Sequence, residues 1–195
     1  MVDNEIVEKK TAQKILDVAR DLVRSRGYSA FSYADISEQV GIRKASIHYH
    51  FSSKDELVGK LVLQYRETMA LKCDRIARSA ASPDRQLMEF ARLYQDGLEE
   101  GQICLCAMLA ADFAVLPEPV QDEIRIFFQE TETWLAAVLQ QGCEAKKWQC
   151  HPSIEQEAKG IIAMLQGAQL LARSVEDSSA MFEQIVFPLL SARFS

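Results

Sequence analysis

The segment 28–57, YSAFSYADISEQVGIRKASIHYHFSSKDEL, most constrains the fold, because it places two short helical patterns on either side of a glycine. The apolar helix face over residues 33–40 ends at Gly41, where the chain can take a left-handed turn. A second short pattern follows, with Ile47 and Phe51 one helical turn apart and facing inward. Two short helices joined by such a turn predict a helix-turn-helix, whose second helix enters the major groove of DNA.

The predicted second helix carries side chains that can bond phosphates or base edges. They are Lys44, Ser46, His48, Tyr49 and His50. The sequence therefore predicts a DNA-binding surface on this helix.

Charge is distributed unevenly along the chain, whose net charge is −6. Residues 1–66 carry eleven Lys/Arg against nine Asp/Glu, whereas the remainder carries eleven against nineteen. Nucleic-acid binding depends on a local basic patch, so an acidic total does not exclude it. The asymmetry favours a small DNA-binding head on a larger acidic body with another task.

Composition and motifs argue against a membrane protein, an exported protein and an enzyme. No apolar run approaches the roughly 18 residues of a membrane span, and the start, MVDNEIVEKK, lacks the pattern of a signal peptide, so we expect a cytoplasmic protein. The chain has three histidines and no phosphate-cradling glycine loop, Glu-x-x-His pair or nucleophile elbow. We therefore expect no enzyme, no cofactor and no metal.

Helical period recurs along almost the whole chain, and no run alternates like a strand. The sequence predicts an all-α fold of about nine helices: a three-helix head and a six-helix body. The predicted helices are 6–26, 33–40, 44–50, 53–79, 84–100, 103–114, 118–142, 154–174 and 178–193. Ser53 and Glu56 have the spacing of a capping box at the start of the fourth helix. We expect a DNA-binding domain over 1–53 and an effector-binding and dimerisation domain over 54–195.

The run from Gly27 to Leu57 resembles the amino-terminal signature of the TetR family of bacterial transcriptional regulators. The resemblance is specific over this run and fades after about residue 66. It implies a homodimer that binds double-stranded, palindromic operator DNA. It also implies a regulator, most often a repressor of a nearby operon, that a small molecule or a thiol-reactive species releases. An alternative is a DNA-bound interaction protein that positions a protein partner instead of controlling a promoter.

The resemblance also assigns roles to ten residues of the head. Ser32 and Tyr33 would meet phosphates at the start of the second helix. The amino end of the third helix would approach bases or backbone, and its last turn and the next helix would contact phosphates. The family usually has an aromatic residue where this chain has His48. The residues that would approach bases or backbone are Arg43, Lys44, Ala45 and Ser46. Those that would contact phosphates, from the last turn of the third helix and from the next helix, are His48, Tyr49, His50 and Lys54.

Apolar and aromatic residues of the 54–142 helices are candidates for an effector pocket, although a stripe at helical spacing is more often core. The candidates are Tyr65, Met69, Phe90, Tyr94, Met108, Phe113, Phe127, Phe128 and Trp134. Cys104 is a further candidate, because a thiol near a helix amino end can be reactive. Packing of Cys104 and Cys106 as small core residues is the simpler interpretation.

The five cysteines are an odd number, and we expect them all to be reduced thiols. Cys143, Cys150 and His151 match no common zinc pattern. The last two helices carry more apolar side chains than a small domain needs, and Gly160 and Gly167 would permit close helix approach. An ordinary core explains this pattern, and so does a homodimer interface through these two helices.

Overall fold

The computed structural model describes residues 2–150 and 152–193, with side chains for 7–150 and 152–192. Within these ranges the chain forms nine α-helices and no strand, which confirms the predicted all-α class. The helices are α1 (Val2–Arg26), α2 (Tyr33–Val40), α3 (Lys44–His50), α4 (Lys54–Ser79), α5 (Pro83–Glu99), α6 (Leu105–Ala111), α7 (Glu118–Glu144), α8 (Ile154–Ala172) and α9 (Ser178–Arg193). The predicted helix over 103–114 is shorter than expected, and a separate 3₁₀ turn, Phe113–Val115, follows it.

Packing divides the chain into two compact units. Unit 1 comprises the residues up to Arg66 together with Leu105–Arg125, and unit 2 comprises Glu67–Cys104 and the residues from Ile126 onward. The predicted boundary after residue 53 is a division by function and stays a prediction. By packing, the first half of α4, α6 and the start of α7 belong with the helix-turn-helix.

Unit 1 has a core built by α1 to α4, in which α1 contacts both α2 and α3. Ile47 and Phe51 of the predicted inward pair are 0% and 2% exposed, so the predicted anchor is buried. The largest apolar contributions come from α1 and the start of α4. They are Ile15, Leu16, Leu22, Val23, Leu57, Val58 and Leu61. Burial of such side chains contributes about 1.5–3 kcal/mol each, which fixes α2 and α3 on this base.

Local signals at both ends of α2 define the helix-turn-helix. The Ser32 hydroxyl accepts from the Ala34 amide, and the Asp35 carboxylate accepts from the Ser32 amide at 2.8 Å, which makes a capping box. At the other end Gly41 has φ 75°, and its amide donates to the Ser37 carbonyl. Only glycine adopts this left-handed conformation without steric cost, which confirms the predicted turn.

The start of α4 differs in one contact from the predicted capping box. The Glu56 amide donates to the Ser53 hydroxyl at 3.1 Å, as expected. The Glu56 carboxylate, however, accepts from the amide and hydroxyl of Ser52, at 3.0 and 2.7 Å, and from Lys60 at 2.8 Å. These hydrogen bonds lower the pKa of Glu56 from 4.5 to about 2. The bond from Lys60 has the largest effect, and the bonds from Ser52 have the next largest.

Unit 2 is held by α5, α8 and α9, which all contact one another. Its most buried polar side chain is Gln169, which is 1% exposed. The Gln169 amide nitrogen donates to the Tyr94 carbonyl at 2.6 Å, and its oxygen accepts from the Cys104 amide at 3.1 Å. Gln169 therefore joins α8 to α5 and to the segment before α6 by satisfying two buried backbone groups.

The cysteines correct one expectation. Cys73, Cys104 and Cys106 are buried thiols outside any disulfide, but Cys143 and Cys150 are paired as a disulfide with Cα atoms 5.4 Å apart. The prediction of five reduced thiols was therefore wrong for this pair, because sequence spacing does not reveal a turn that brings two cysteines together. His151, the third residue of the dismissed metal pattern, lies outside the described residues.

Among the residues described, no helix has the length and apolar character needed to cross a membrane.

We predict that Gln169→Leu lowers the free energy of unfolding by about 2–4 kcal/mol, because it leaves a buried amide and a buried carbonyl without partners. Urea unfolding followed by circular dichroism measures this. The matched control is Gln140→Leu on the exposed face of α7, which should change stability by less than about 0.5 kcal/mol. Equal effects of the two substitutions would contradict the role of Gln169.

We also predict that Glu56 makes stability depend on acidity. Its folded pKa of about 2 lies below the ordinary 4.5, so its contribution is complete above pH 4.5 and is lost as the pH falls towards 2. The stability difference between wild type and Glu56→Gln should therefore be largest at neutral pH and shrink over that window. Urea midpoints at several pH values test this, and a difference independent of pH is the contrary result.

Candidate nucleic-acid interface

A cleft of about 430 Å³ opens between α2, α3 and the start of α4. It is lined by Phe31, Ser32, Tyr33, Ala34, Lys44, His48 and Lys54. Five of the ten predicted DNA-binding residues therefore share one cavity in unit 1. Two lysines, a histidine and the amino end of α2 give this cleft the chemistry of a phosphate site.

Lys54 is held more firmly than a surface lysine. Its ammonium donates to the carbonyls of Tyr28 and Phe31, both at 2.6 Å, and lies 4.3 and 4.2 Å from the centres of their rings. Desolvation by burial lowers the pKa of Lys54, against the charges of nearby carboxylates led by Asp112. Two of its three N–H donors are occupied, so one remains for a ligand.

Tyr33 and His48 form the wall of the cleft between α2 and α3. Their rings are 4.8 Å apart, and the Tyr33 hydroxyl donates to the Phe51 carbonyl at 3.0 Å. Burial, followed by the charges of Glu56 and Asp55, raises the pKa of Tyr33 to about 12, so this hydroxyl stays protonated at neutral pH. The Nδ1 atom of His48 lies 3.4 Å from the Ser52 carbonyl, a contact that needs a proton on Nδ1.

The remaining predicted residues lie outside the cleft, on α3 and at its amino end. Arg43, Ala45 and Ser46 are exposed, as is Lys44, which also lines the cleft. Tyr49 is 71% exposed, its ring packs edge-on against His50 at 5.1 Å, and its hydroxyl donates to Glu8 at 3.4 Å. The exposed face of α3 thus presents a cation, hydroxyls and aromatic edges side by side.

Sequence reasoning missed a second set of contacts that holds this surface. The Asp112 carboxylate, just after α6, accepts from the amide and hydroxyl of Ser29 at 3.2 and 3.0 Å. A Cβ at Gly27, whose φ is 88°, would come within 3.4 Å of the same carboxylate. The Tyr28 hydroxyl donates to Asp55 at 2.6 Å. No sequence signal links residues 83 positions apart, so Asp112 could not have been found from the chain alone.

The predicted effector-pocket residues fall into both units. Tyr65, Met108 and Phe113 belong to unit 1, and the seven others belong to unit 2. In unit 2 the Phe90 ring lies 5.4 Å from Tyr94 and 5.0 Å from Trp134, and the rings of Phe127 and Phe128 are 5.3 Å apart. Cys104 is 2% exposed and Met69 is 8% exposed. The part of these residues in effector binding stays a prediction.

Two family models match the chain. The model described as bacterial regulatory proteins of the tetR family matches residues 15–61. The model described as the C-terminal domain of tetracyclin repressor-like proteins matches residues 83–185.

Solved structures and curated proteins agree with these matches. A TetR-family regulator from Agrobacterium tumefaciens is 36% identical, with a TM-score of 0.91 over 96% of this chain and 100% of that one. A TetR regulator from Legionella pneumophila is 30% identical, with a TM-score of 0.83 over 93% and 96%. The transcriptional regulator TtgR of Pseudomonas putida is 33% identical over 39% of this chain and 34% of its own.

A second curated relative is IcaR, the negative transcriptional regulator of the biofilm operon icaADBC in Staphylococcus epidermidis. It is 43% identical over 25% of this chain and 26% of its own length. The chain thus spans about a quarter to a third of the length of these two curated relatives. All of these relatives are regulators and none is an enzyme, as the sequence predicts. The resemblance seen in residues 27–57 is confirmed, and the chain belongs to the TetR family of bacterial regulatory proteins.

Proposed function

We propose that the protein is a homodimeric repressor that binds a palindromic operator beside the operon it controls and leaves it when a small molecule binds. The observation that carries the proposal is the cleft of unit 1, where Lys44, His48 and Lys54 converge beside an exposed helix. The description of IcaR as a negative regulator supports repression in particular. Promoter control also agrees with these relatives better than the alternative of a DNA-bound protein that positions a partner.

The charge and hydrogen-bonding groups of the head support a division of labour on DNA. Ser32, Tyr33 and the free donor of Lys54 face one cleft, which suits a backbone phosphate. The amino end of α3, from Arg43 to Ser46, is exposed and suits base edges in the major groove. Tyr49 and His50 on the last turn suit a second phosphate.

If DNA phosphates bind in this cleft, the affinity for operator DNA should depend strongly on salt, because neutralised phosphates release counterions. We predict that Lys44→Ala weakens operator binding at least about tenfold at ~0.1 M salt, since it removes a charged hydrogen-bond donor from each head. In a dimer it should also reduce the salt slope by about 2, one for each lost contact.

Fluorescence anisotropy with the DNA upstream of the protein's own gene, over a series of salt concentrations, measures both effects. The matched control is Lys72→Ala, which removes an equally exposed lysine from α4 in unit 2 and should leave affinity and slope unchanged. Indistinguishable affinities of Lys44→Ala and wild type would reject the proposed contact.

The outer face of α8 supports dimerisation through the last two helices. Gly160, Met164, Gly167 and Leu171 follow one another at spacings of four, three and four residues, which places them on one face. Leu171 is 58% exposed, and a Cβ at Gly160 or Gly167 would meet nothing within 4 Å. The glycines are thus not needed for packing within the chain.

A groove on the same face gives a second copy a place to pack. Its volume is about 390 Å³, and Gly160, Ile161, Met164, Leu189 and Leu190 form its apolar lining. Leu189 of α9 is 54% exposed, and Leu170 of α8 is 62% exposed. An exposed apolar face with small residues for close approach suits a two-fold, self-complementary contact.

We predict that Leu171→Arg converts the dimer into a monomer, because it places two unpaired charges in the buried centre of the interface. Size-exclusion chromatography with light scattering measures the mass. Leu71→Arg is the matched control, since Leu71 is an equally exposed leucine of unit 2 (63%) on α4, away from this face. A dimeric Leu171→Arg protein, or a monomer from both variants, would be inconsistent with the assigned face.

The proposed effector site lies among the aromatic side chains of unit 2. Phe90 contacts the rings of Tyr94 and Trp134, which gives this unit an apolar cluster that suits an apolar ligand. Cys104 stays a candidate for a thiol-reactive effector. Its 2% exposure restricts that role to reagents small enough to enter the core.

A further inference from the structure

The turn after α7 contains the most exposed cysteines among the described residues. Cys150 is exposed and Cys143 is half-buried, whereas Cys73, Cys104 and Cys106 are buried. Burial, with the charge of Asp74 second, raises the pKa of Cys73 to about 12, which keeps that thiol protonated and unreactive. Oxidants that approach from water therefore meet the Cys143 and Cys150 pair first.

Backbone hydrogen bonds bring these two cysteines together independently of the bond between them. The Lys147 amide donates to the Gly142 carbonyl at 2.9 Å, and the Lys146 amide donates to the Cys143 carbonyl at 3.0 Å. Lys146 has φ 53°, so the end of α7 is a Schellman motif. This motif turns the chain back along the helix towards Cys143.

Trp148 holds the returning chain against the helix. It is 8% exposed, and its ring occupies the place of a side chain at Gly142, since a Cβ there would lie 1.7 Å from Cζ2 of the indole. The packing of an indole on a glycine does not depend on sulfur chemistry. The two thiols should therefore stay close after reduction, and closeness of this kind raises the rate of ring closure.

The residues between the two cysteines are mostly open to water. Lys146 and Lys147 are both exposed, and the Glu144 carboxylate accepts from the Gln140 side chain at 2.8 Å. A small oxidant or a small thiol can therefore approach this turn from solvent.

We propose that Cys143 and Cys150 form a reversible thiol–disulfide site, which a peroxide oxidises and a small thiol reduces. This site goes beyond the proposed role in transcription and does not depend on it. Exposed disulfides are the ones that exchange readily, whereas buried structural ones resist reduction.

The exposed Cys150 is the residue that the peroxide oxidises first. Its thiolate attacks one peroxide oxygen, the O–O bond breaks, and the departing hydroxide takes a proton to become water, which leaves a sulfenic acid. The Cys143 thiolate then attacks that sulfur, the S–S bond forms, and the sulfenic oxygen leaves as a second water. Two thiols lose two electrons and two protons in total, and one peroxide becomes two waters. A small thiol reverses the bond in two steps. Its thiolate attacks the Cys150 sulfur, which breaks the S–S bond, releases the Cys143 thiolate and leaves a mixed disulfide on Cys150. A second thiol group, which is the other sulfur of the same molecule in dithiothreitol, attacks that mixed disulfide, forms the oxidised disulfide of the reductant and releases the Cys150 thiolate.

The test uses the full chain, reduced with dithiothreitol, freed of it and treated with hydrogen peroxide. We expect a mass loss of about 2 Da, two hydrogens, confined to the peptides that contain Cys143 and Cys150, and its reversal by dithiothreitol. The buried thiols should react at least about fivefold more slowly. Oxidation that begins at Cys73, Cys104 or Cys106, or no disulfide at the pair, would overturn the proposal.

Single variants of the two cysteines separate the roles of attacking and resolving thiol. In Cys143→Ser, Cys150 should accumulate a sulfenic acid that dimedone traps, because the resolving thiol is missing. In Cys150→Ser, Cys143 should react at least about fivefold more slowly, and Cys73→Ser is the control that should close the disulfide like wild type. Equal dimedone labelling of the two pair variants would refute the order of attack. These readouts follow sulfur alone, so their failure leaves the DNA-binding proposal untouched.

Discussion

The proposed DNA-binding surface depends on Lys54, a lysine that is partly withdrawn from water. Lys54 opens α4, and its ammonium binds the carbonyls of Tyr28 and Phe31 between their two rings. These contacts tie the loop after α1 to the start of α4 and so fix where α2 begins. A charged donor in such a position contributes more than an exposed one, because desolvation strengthens each of its bonds. The same desolvation lowers the pKa of Lys54, so the contact has a cost that the two carbonyls must offset.

Structural roles therefore fall on some of the side chains that we propose to bind DNA. The Tyr33 hydroxyl donates to the Phe51 carbonyl, and the Ser32 hydroxyl caps α2 by accepting from the Ala34 amide. On α3, His48 and Tyr49 also have internal contacts, to the Ser52 carbonyl and to Glu8, whereas Lys44 is exposed. Substitution of Ser32, Tyr33 or Lys54 thus changes the shape of the surface as well as its contacts, whereas substitution of the exposed Lys44 changes contacts alone. Recognition of DNA rests on this rigid arrangement, since a misplaced helix cannot pair its donors with bases.

The sequence predicts the helices well and the long-range contacts poorly, for a physical reason. Gly41 and Ser32 define the limits of α2 because φ and capping are local properties, readable within four residues. The bond from Ser29 to Asp112 depends instead on how α6 packs against α1, and no local pattern encodes that. The turn that pairs Cys143 with Cys150 rests on Lys146 in a left-handed conformation, which is uncommon outside glycine and asparagine.

In the apolar helices α8 and α9, sequence periodicity does not distinguish a face that packs in the core from a face that packs against a partner. The same sequence pattern is expected for a stripe that faces a core and for one that faces a partner. An example is the stripe of Gly160, Met164, Gly167 and Leu171 on α8. Exposure separates the two cases: Leu165 and Phe182 are 0% exposed and belong to the core, whereas Leu171 is 58% exposed. A glycine that faces open space loses chain entropy on folding without a packing gain inside the chain. Its place on the apolar stripe is explained if the close approach it permits is to a second molecule.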